Sequence, residues 1–287
     1  MMLKKTTIIV FCLLSVMIVY SQERHEISVS VAGGLSTINY SPNVGQSKDK
    51  IGSTIGFGYN YKITNYWSIG SGVEMLISRS EYSMENFSDS YAAYDGEDDF
   101  TFHTTVKEYS ESQNISYLNI PFVVMFQRPI AGKNSFFASV GFKFGVPVVQ
   151  RVDVSALFNN YGYYPKWENP IKDNPYFMGF GDFGSENVKG NLEVKTLYLL
   201  SVESGMKWIL GNKLNLYSGI YCDYGLNNIQ KASDKRMIQY NNMEPSEYIH
   251  NSVINSSYST DDDITQALVD VTRIISVGVK LRLALDL

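Results

Sequence analysis

Seven ionisable side chains fall on the non-apolar phase of alternating segments: Glu74, Lys143, Glu203, Lys207, Asp223, Lys280 and Arg282. Carboxylates and cations sharing one face can neutralise each other as a buried network, because bare charges in a narrow interior are costly unless paired. They can equally line a gated narrow pore or a proton path. Structural pairing is the reading adopted, and the conducting one stays open.

A second group of side chains suits recognition. The stretch from Asp153 to Glu193 is crowded with aromatic residues, and Tyr161, Tyr163, Tyr164 and Trp167 form its densest part. Aromatic rings exposed on a loop can stack on sugars or anchor a protein partner. Asp95-Gly96-Glu97-Asp98-Asp99 and Asp261-Asp262-Asp263 are acidic runs of the kind calcium favours. Neither has the spacing of an EF-hand loop, so both are read as solvated turns, and no metal is assigned.

Catalytic chemistry has little to draw on. The three histidines are His25, His103 and His250. There is no Gly-x-Ser-x-Gly elbow, His-Glu-x-x-His, phosphate loop or paired-cysteine motif. The chain is therefore read as a non-enzyme without a cofactor. A loop-borne lipid hydrolase using His103 or His250 is the weakest alternative kept.

The elements that carry these residues alternate with period two. Ile27–Ser36, Ile51–Ile63, Tyr66–Ser80, a segment ending near Gln127, Phe136–Val146, Tyr198–Trp208, Leu214–Gly225 and Ile275–Leu285 each set a bulky apolar face against Gly, Ser and isolated charges. Short connections fall near Thr64-Asn65, Ala131–Ser135 and Gly211–Lys213. Long ones span Thr37–Lys50, Tyr82–Asn114, Asp153–Glu193 and Asn227–Thr265. Short turns at one end and long loops at the other are the mark of a transmembrane barrel. In a barrel of about eight strands the lumen has room for little more than side chains. The small and charged face then points inward and the bulky face meets lipid. Tyr59, Tyr61, Tyr66, Trp67, Phe126, Phe136 and Trp208, beside the short turns, form an interfacial girdle. The expected fold is all-β: an antiparallel up-and-down transmembrane barrel of about eight strands. Ten are conceivable if Thr101–Tyr109 or Val188–Leu192 adds or extends a strand.

The N-terminus fits export. Lys4 and Lys5 precede an apolar run from Thr6 to Tyr20, too short for a spanning helix and suited to a cleaved signal ending at Ser21. Residues 22–287 would then form the barrel and its four extracellular loops. Removing Lys4 and Lys5 from the 24 basic residues leaves 22 against 29 acids, a formal charge of −7. Such a balance argues against nucleic acid. Cys222 alone remains after cleavage, so no intrachain disulfide forms.

The runs SYLNIPFVV (116–124), GFKFGVPV (141–148), ESGMKWILGNKLNLYSGIYCDYGLNNI (203–229) and ISVGVKLRLAL (275–285) resemble the PorT-like outer-membrane barrels of Bacteroides-type bacteria, which are similar in form to the barrel half of OmpA. The resemblance implies a Gram-negative outer-membrane location and no catalytic residues. The role expected is structural or surface-binding, with outer-membrane lipid around the barrel and a protein or glycan ligand at the loops. A narrow channel or transport component is the alternative.

Overall fold

The computed structural model describes residues 24–130, 134–171, 175–260 and 264–287. The expected signal segment 1–21 and the triplet Asp261–Asp263 lie outside the described residues. Eight strands make the barrel: β1 (His25–Pro42), β2 (Ile51–Lys62), β3 (Trp67–Tyr94), β4 (Asp99–Pro129), β5 (Ser135–Tyr164), β6 (Leu197–Ile209), β7 (Leu214–Gly225) and β8 (Val269–Asp286). Each pairs antiparallel with its neighbours in sequence, and β1 pairs with β8 to close the ring. The ring is an eight-stranded up-and-down barrel. The tenfold alternative falls, because Thr101–Tyr109 belongs to β4 and Val188 to a side strand that pairs with β5 outside the ring.

The strands approach closely where β1 meets β8. Gly34 and Gly278 face each other there, and Gly34 has φ +151°. A Cβ on Gly34 would lie 2.4 Å from the Val277 carbonyl oxygen, and one on Gly278 would lie 2.1 Å from that of Gly33. Only glycine permits so close an approach.

The barrel is inside-out relative to a soluble protein. Phe122 (59% exposed), Phe142 (61%), Val202 (47%) and Val279 (57%) all face outward. Glu74, Lys143, Asn119 and Asp223 are buried in the lumen. Backbone groups crossing hydrocarbon must be satisfied within the protein, and the closed ladder does this. No helix among the described residues is long and apolar enough to cross a membrane. Tyr66, Trp67, Phe136 and Trp208 stand exposed beside the short turns, and Trp208 donates its indole N–H to Ser218.

Three strands continue far beyond the band of outward apolar residues. β3, β4 and β5 have 28, 31 and 30 residues, about three times what a tilted strand needs to cross a bilayer. Three of the expected long loops are corrected: Thr37–Lys50 is mostly strand, since β1 runs to Pro42 and a short strand spans Gln46–Asp49. Tyr82–Asn114 is a β-hairpin, and Asp153–Tyr164 is the upper part of β5, flanked by a strand at Gly181–Gly190. The reason lies in solvent. Above the lipid, water wets the outside, so the apolar residues move to the inward phase of the same strands. Tyr82 and Met84, Phe100 and Phe102, and Val152, Val154, Ala156 and Phe158 are buried. Arg79, Glu81, Ser83, Ser110 and Ser112 face out.

The segment between β7 and β8 folds over this inward face as a cap. It contributes Ile229, Met237, Ile238, Val253, Ile254 and Leu268 to one apolar core with the upper strands. Its centre, Asn251–Ser257, is buried at every residue.

Substituting Phe142 by Arg places a charge at mid-band on the lipid face. The expected cost is about 2–4 kcal/mol, read by urea titration of protein folded into vesicles, whereas Phe142→Leu stays near the parent value.

Candidate functional site: the lumen network and the cap

Charged side chains from six strands form one alternating chain through the barrel. Lys143 Nζ donates to Asp223 at 2.8 Å and to Glu74 at 2.7 Å. Lys280 Nζ reaches the other Glu74 oxygen at 3.0 Å and Glu203 at 3.4 Å. Arg282 lies 4.0 Å from Glu203 and stacks over the Tyr217 ring at 4.1 Å. The Tyr217 hydroxyl donates to Glu26 at 2.7 Å, and Glu26 faces Lys207 at 3.8 Å. Four acids thus alternate with four cations.

Six of the seven residues assigned to the lumen are joined directly. Lys207 is set apart, at the short-turn end, and joins through Glu26 and Tyr217 rather than through the central group. Sequence reasoning missed Glu26. It sits one residue before the alternating stretch from Ile27, on the same inward phase as Ser28 and Ser30, so extending the period by one position would have found it. The space left among these residues is about 50 Å³, enough for one or two waters.

Above the ions, Ser36 bonds to Ser78 (3.0 Å) and Ser276 (2.7 Å) across three strands. Leu76, Tyr117, Leu197 and Leu199 form a buried apolar layer with the cap. Over it lies a second polar cluster that the sequence did not reveal. Glu111 is 2% exposed and has no cation beside it among the described residues. It accepts from Tyr109 (3.0 Å), Gln113 (2.6 Å), the Ser252 hydroxyl and the Val253 amide (3.0 Å). Burial pushes its carboxyl above the usual range, and these four donors offset only part of that. Glu111 therefore pins the buried cap segment to β4.

The aromatic surface is only partly where the sequence put it. Tyr161 and Tyr163 project outward from upper β5, and Tyr161 stacks on His103 at 4.4 Å. Trp167 is half exposed on the following turn. Tyr164 is a correction: it is fully buried, stacked on Phe100 at 5.0 Å, because it lies on the inward phase beside Gly162. The run Asp95–Asp99 is the β3–β4 turn. Asp95 accepts from the amides of Glu97 (2.9 Å) and Asp98 (2.8 Å), and Lys166 pairs with Asp98 at 3.0 Å.

His250 is buried in the cap with its Nε2 2.9 Å from the Ser185 hydroxyl. Among the described residues its Nδ1 has no partner, so none of them orients the ring as in a hydrolytic triad. Burial pushes its pKa down to about 4, which makes it a weak base.

No family model matches the chain, and no curated protein does. Among solved structures it is similar to Neisserial surface protein A, with a TM-score of 0.35 at 9% identity, covering 93% of this chain and 98% of that one. The barrel assignment rests on the closed, inside-out ring itself.

Two outcomes follow from this geometry. Lys143→Met leaves Glu74 short of one cation and Asp223 with none, and should destabilise the barrel by about 3–5 kcal/mol, measured as earlier loss of heat-modifiable gel mobility. The lowered pKa of His250 gives a stabilising contribution that is complete above its unfolded value of 6.5 and lost as pH falls toward 4. That is roughly 3 kcal/mol of local cap stability. Hydrogen exchange at 249–256, corrected for intrinsic rate, should accelerate between pH 7 and pH 5, and His250→Gln should abolish the change.

Proposed function

We propose that this chain is a closed, non-conducting outer-membrane barrel whose role is to hold a rigid extracellular β-platform for binding at the cell surface. The observation that carries the reading is the double closure of the lumen. A charge-balanced ion chain fills the membrane section, and the fully buried segment Asn251–Ser257 covers its extracellular end. Outer-membrane location is consistent with the lipid-facing ring and with an exported chain whose first 21 residues act as a signal. Kinship with PorT-like barrels belongs to the same reading and rests on the strand runs at 116–124, 141–148, 203–229 and 275–285. Tyr161, Tyr163 and Trp167, with His103 stacked among them, offer ring faces to a protein or glycan ligand. Catalysis is not part of the proposal: among the described residues no acid reaches His250 Nδ1 beside the Ser185 contact.

In planar bilayers the purified protein should give no steady current. Ohmic, ion-selective current from the unmodified protein would favour the channel alternative and overturn this one. Fractionation should place the protein with outer membranes, running at heat-modifiable mobility, and a soluble, heat-indifferent protein would refute the location. Turnover of phospholipid unchanged by His103→Ala and His250→Ala would dismiss the hydrolase.

A further inference from the structure

One face of the β3–β4–β5 sheet changes chemistry in three steps as it leaves the membrane. The lowest step is apolar, with Met75, Leu118 and Val146 facing lipid. The next is cationic. Arg79 on β3 and Arg151 on β5 pair with the same residue of β4, Asn114, so the two guanidinium-bearing positions share one cross-strand row. Two strand spacings separate them, about 10 Å. Both are exposed, and among the described residues neither is held by a carboxylate. The nearest acids on the face are already engaged or lie one row higher: Glu81 is paired with Lys50 at 2.7 Å, and Asp153 is on the next outward row.

The third step is a groove. It begins at that next row, Glu81–Ser112–Asp153, and continues through Gln46, Ser83, Ser110, Ser155 and Asn187. Its volume is about 410 Å³, within the range of small-ligand sites. Its outward side chains are mainly hydroxyls and amides. The serines of β4 make the floor shallow, and the edge strand Gln46–Asp49 forms one wall.

We infer that this face binds a phosphorylated glycolipid of the surrounding leaflet: acyl chains on the apolar band, phosphate on Arg79 and Arg151, and sugar in the groove above. The order of the three steps selects the ligand. A guanidinium fork matches a phosphate and holds it bidentately. A simple anionic phospholipid would use the first two steps and leave the groove empty, and a soluble sugar phosphate would leave the apolar band unused. The cations sit directly above the lipid-facing residues, where headgroup phosphates lie. This inference rests on the outer-membrane reading.

The test uses the full chain reconstituted into phosphatidylcholine vesicles carrying a few per cent of one probe: diphosphoryl lipid A, its dephosphorylated form, or phosphatidylglycerol. Lipid retained after mild detergent extraction is counted by native mass spectrometry. The unmodified protein should retain diphosphoryl lipid A and neither of the others. Arg79→Gln with Arg151→Gln should lower retention at least tenfold, while heat-modifiable mobility stays intact. Ser112→Leu, which fills the groove floor and leaves both arginines, should also lower it. Equal retention of phosphatidylglycerol, or undiminished retention by the double variant, overturns the assignment. If the protein floats with vesicles and shows heat-modifiable mobility yet retains no lipid A, this inference fails and the membrane reading stands. If it floats with none of the vesicles, both fail.

Discussion

A strand has two faces, and which of them must be greasy depends on the solvent outside the ring. Within hydrocarbon the backbone has to be saturated by its own neighbours. Closure through β1 and β8 meets that demand and fixes which phase looks out. From there parity sets the face of each position within the lipid band. Phe122 and Phe142 look toward lipid, and Asn119 and Lys143 look toward the lumen. Above the lipid the parity of β3 continues while the solvent changes, and bulges shift it in β4 and β5. The same inward phase that carries Glu74 in β3 carries Tyr82 and Met84 four and five pleat repeats later. Arg79 marks the crossing on the outside. The same three strands therefore serve as a membrane wall below and as an ordinary sheet with a wet outer face above.

The ion chain follows from the same constraint. Eight strands enclose too little space for water to solvate eight charges, so each needs a partner within reach. The alternation from Asp223 to Lys207 supplies one at every step. Tyr217 is the link that is not an ion. Its ring receives Arg282 and its hydroxyl serves Glu26, so the central group and the short-turn end are joined without a further charge. Removal of any interior member would strand two others, which makes the network sensitive to single substitutions even where its net contribution against an apolar filling is small.

Much of this was legible in the sequence, for a physical reason. Period two is enforced residue by residue where one face meets lipid, and the ring, its strand number and the inward charges were all readable from it. Glu26 was lost by starting one strand a residue late. The upper parts of β3, β4 and β5 were lost because the apolar residues had changed phase, which reads as a broken pattern when only outward grease is sought. Bulges between Val106 and Glu108 and between Ser116 and Tyr117 hide the period further. Tyr161 and Tyr163 face out and Tyr164 faces in because a bulge at Val148 shifts the phase of β5; counted from inward Lys143, period two alone would put them on the opposite faces. The cap was not legible at all. Residues 226–268 follow no sustained period, and their core partners lie far away in sequence.

That last element decides how the molecule behaves as a whole. The cap packs on β3, β4 and β5 through an apolar core, but its register is fixed by polar contacts. Glu111 holds Ser252 and Val253, while Asn255 bonds to the Glu193 carbonyl at 3.0 Å and accepts from the Glu193 amide at 2.8 Å. A buried carboxylate without a cation is an expensive fastener, and an apolar residue would pack at lower cost. What the carboxylate provides is direction, since it accepts only donors presented at defined angles. The cap is thereby tied to one position over the lumen, and the upper sheet, backed by it, is rigid enough to present its outer face as a fixed surface.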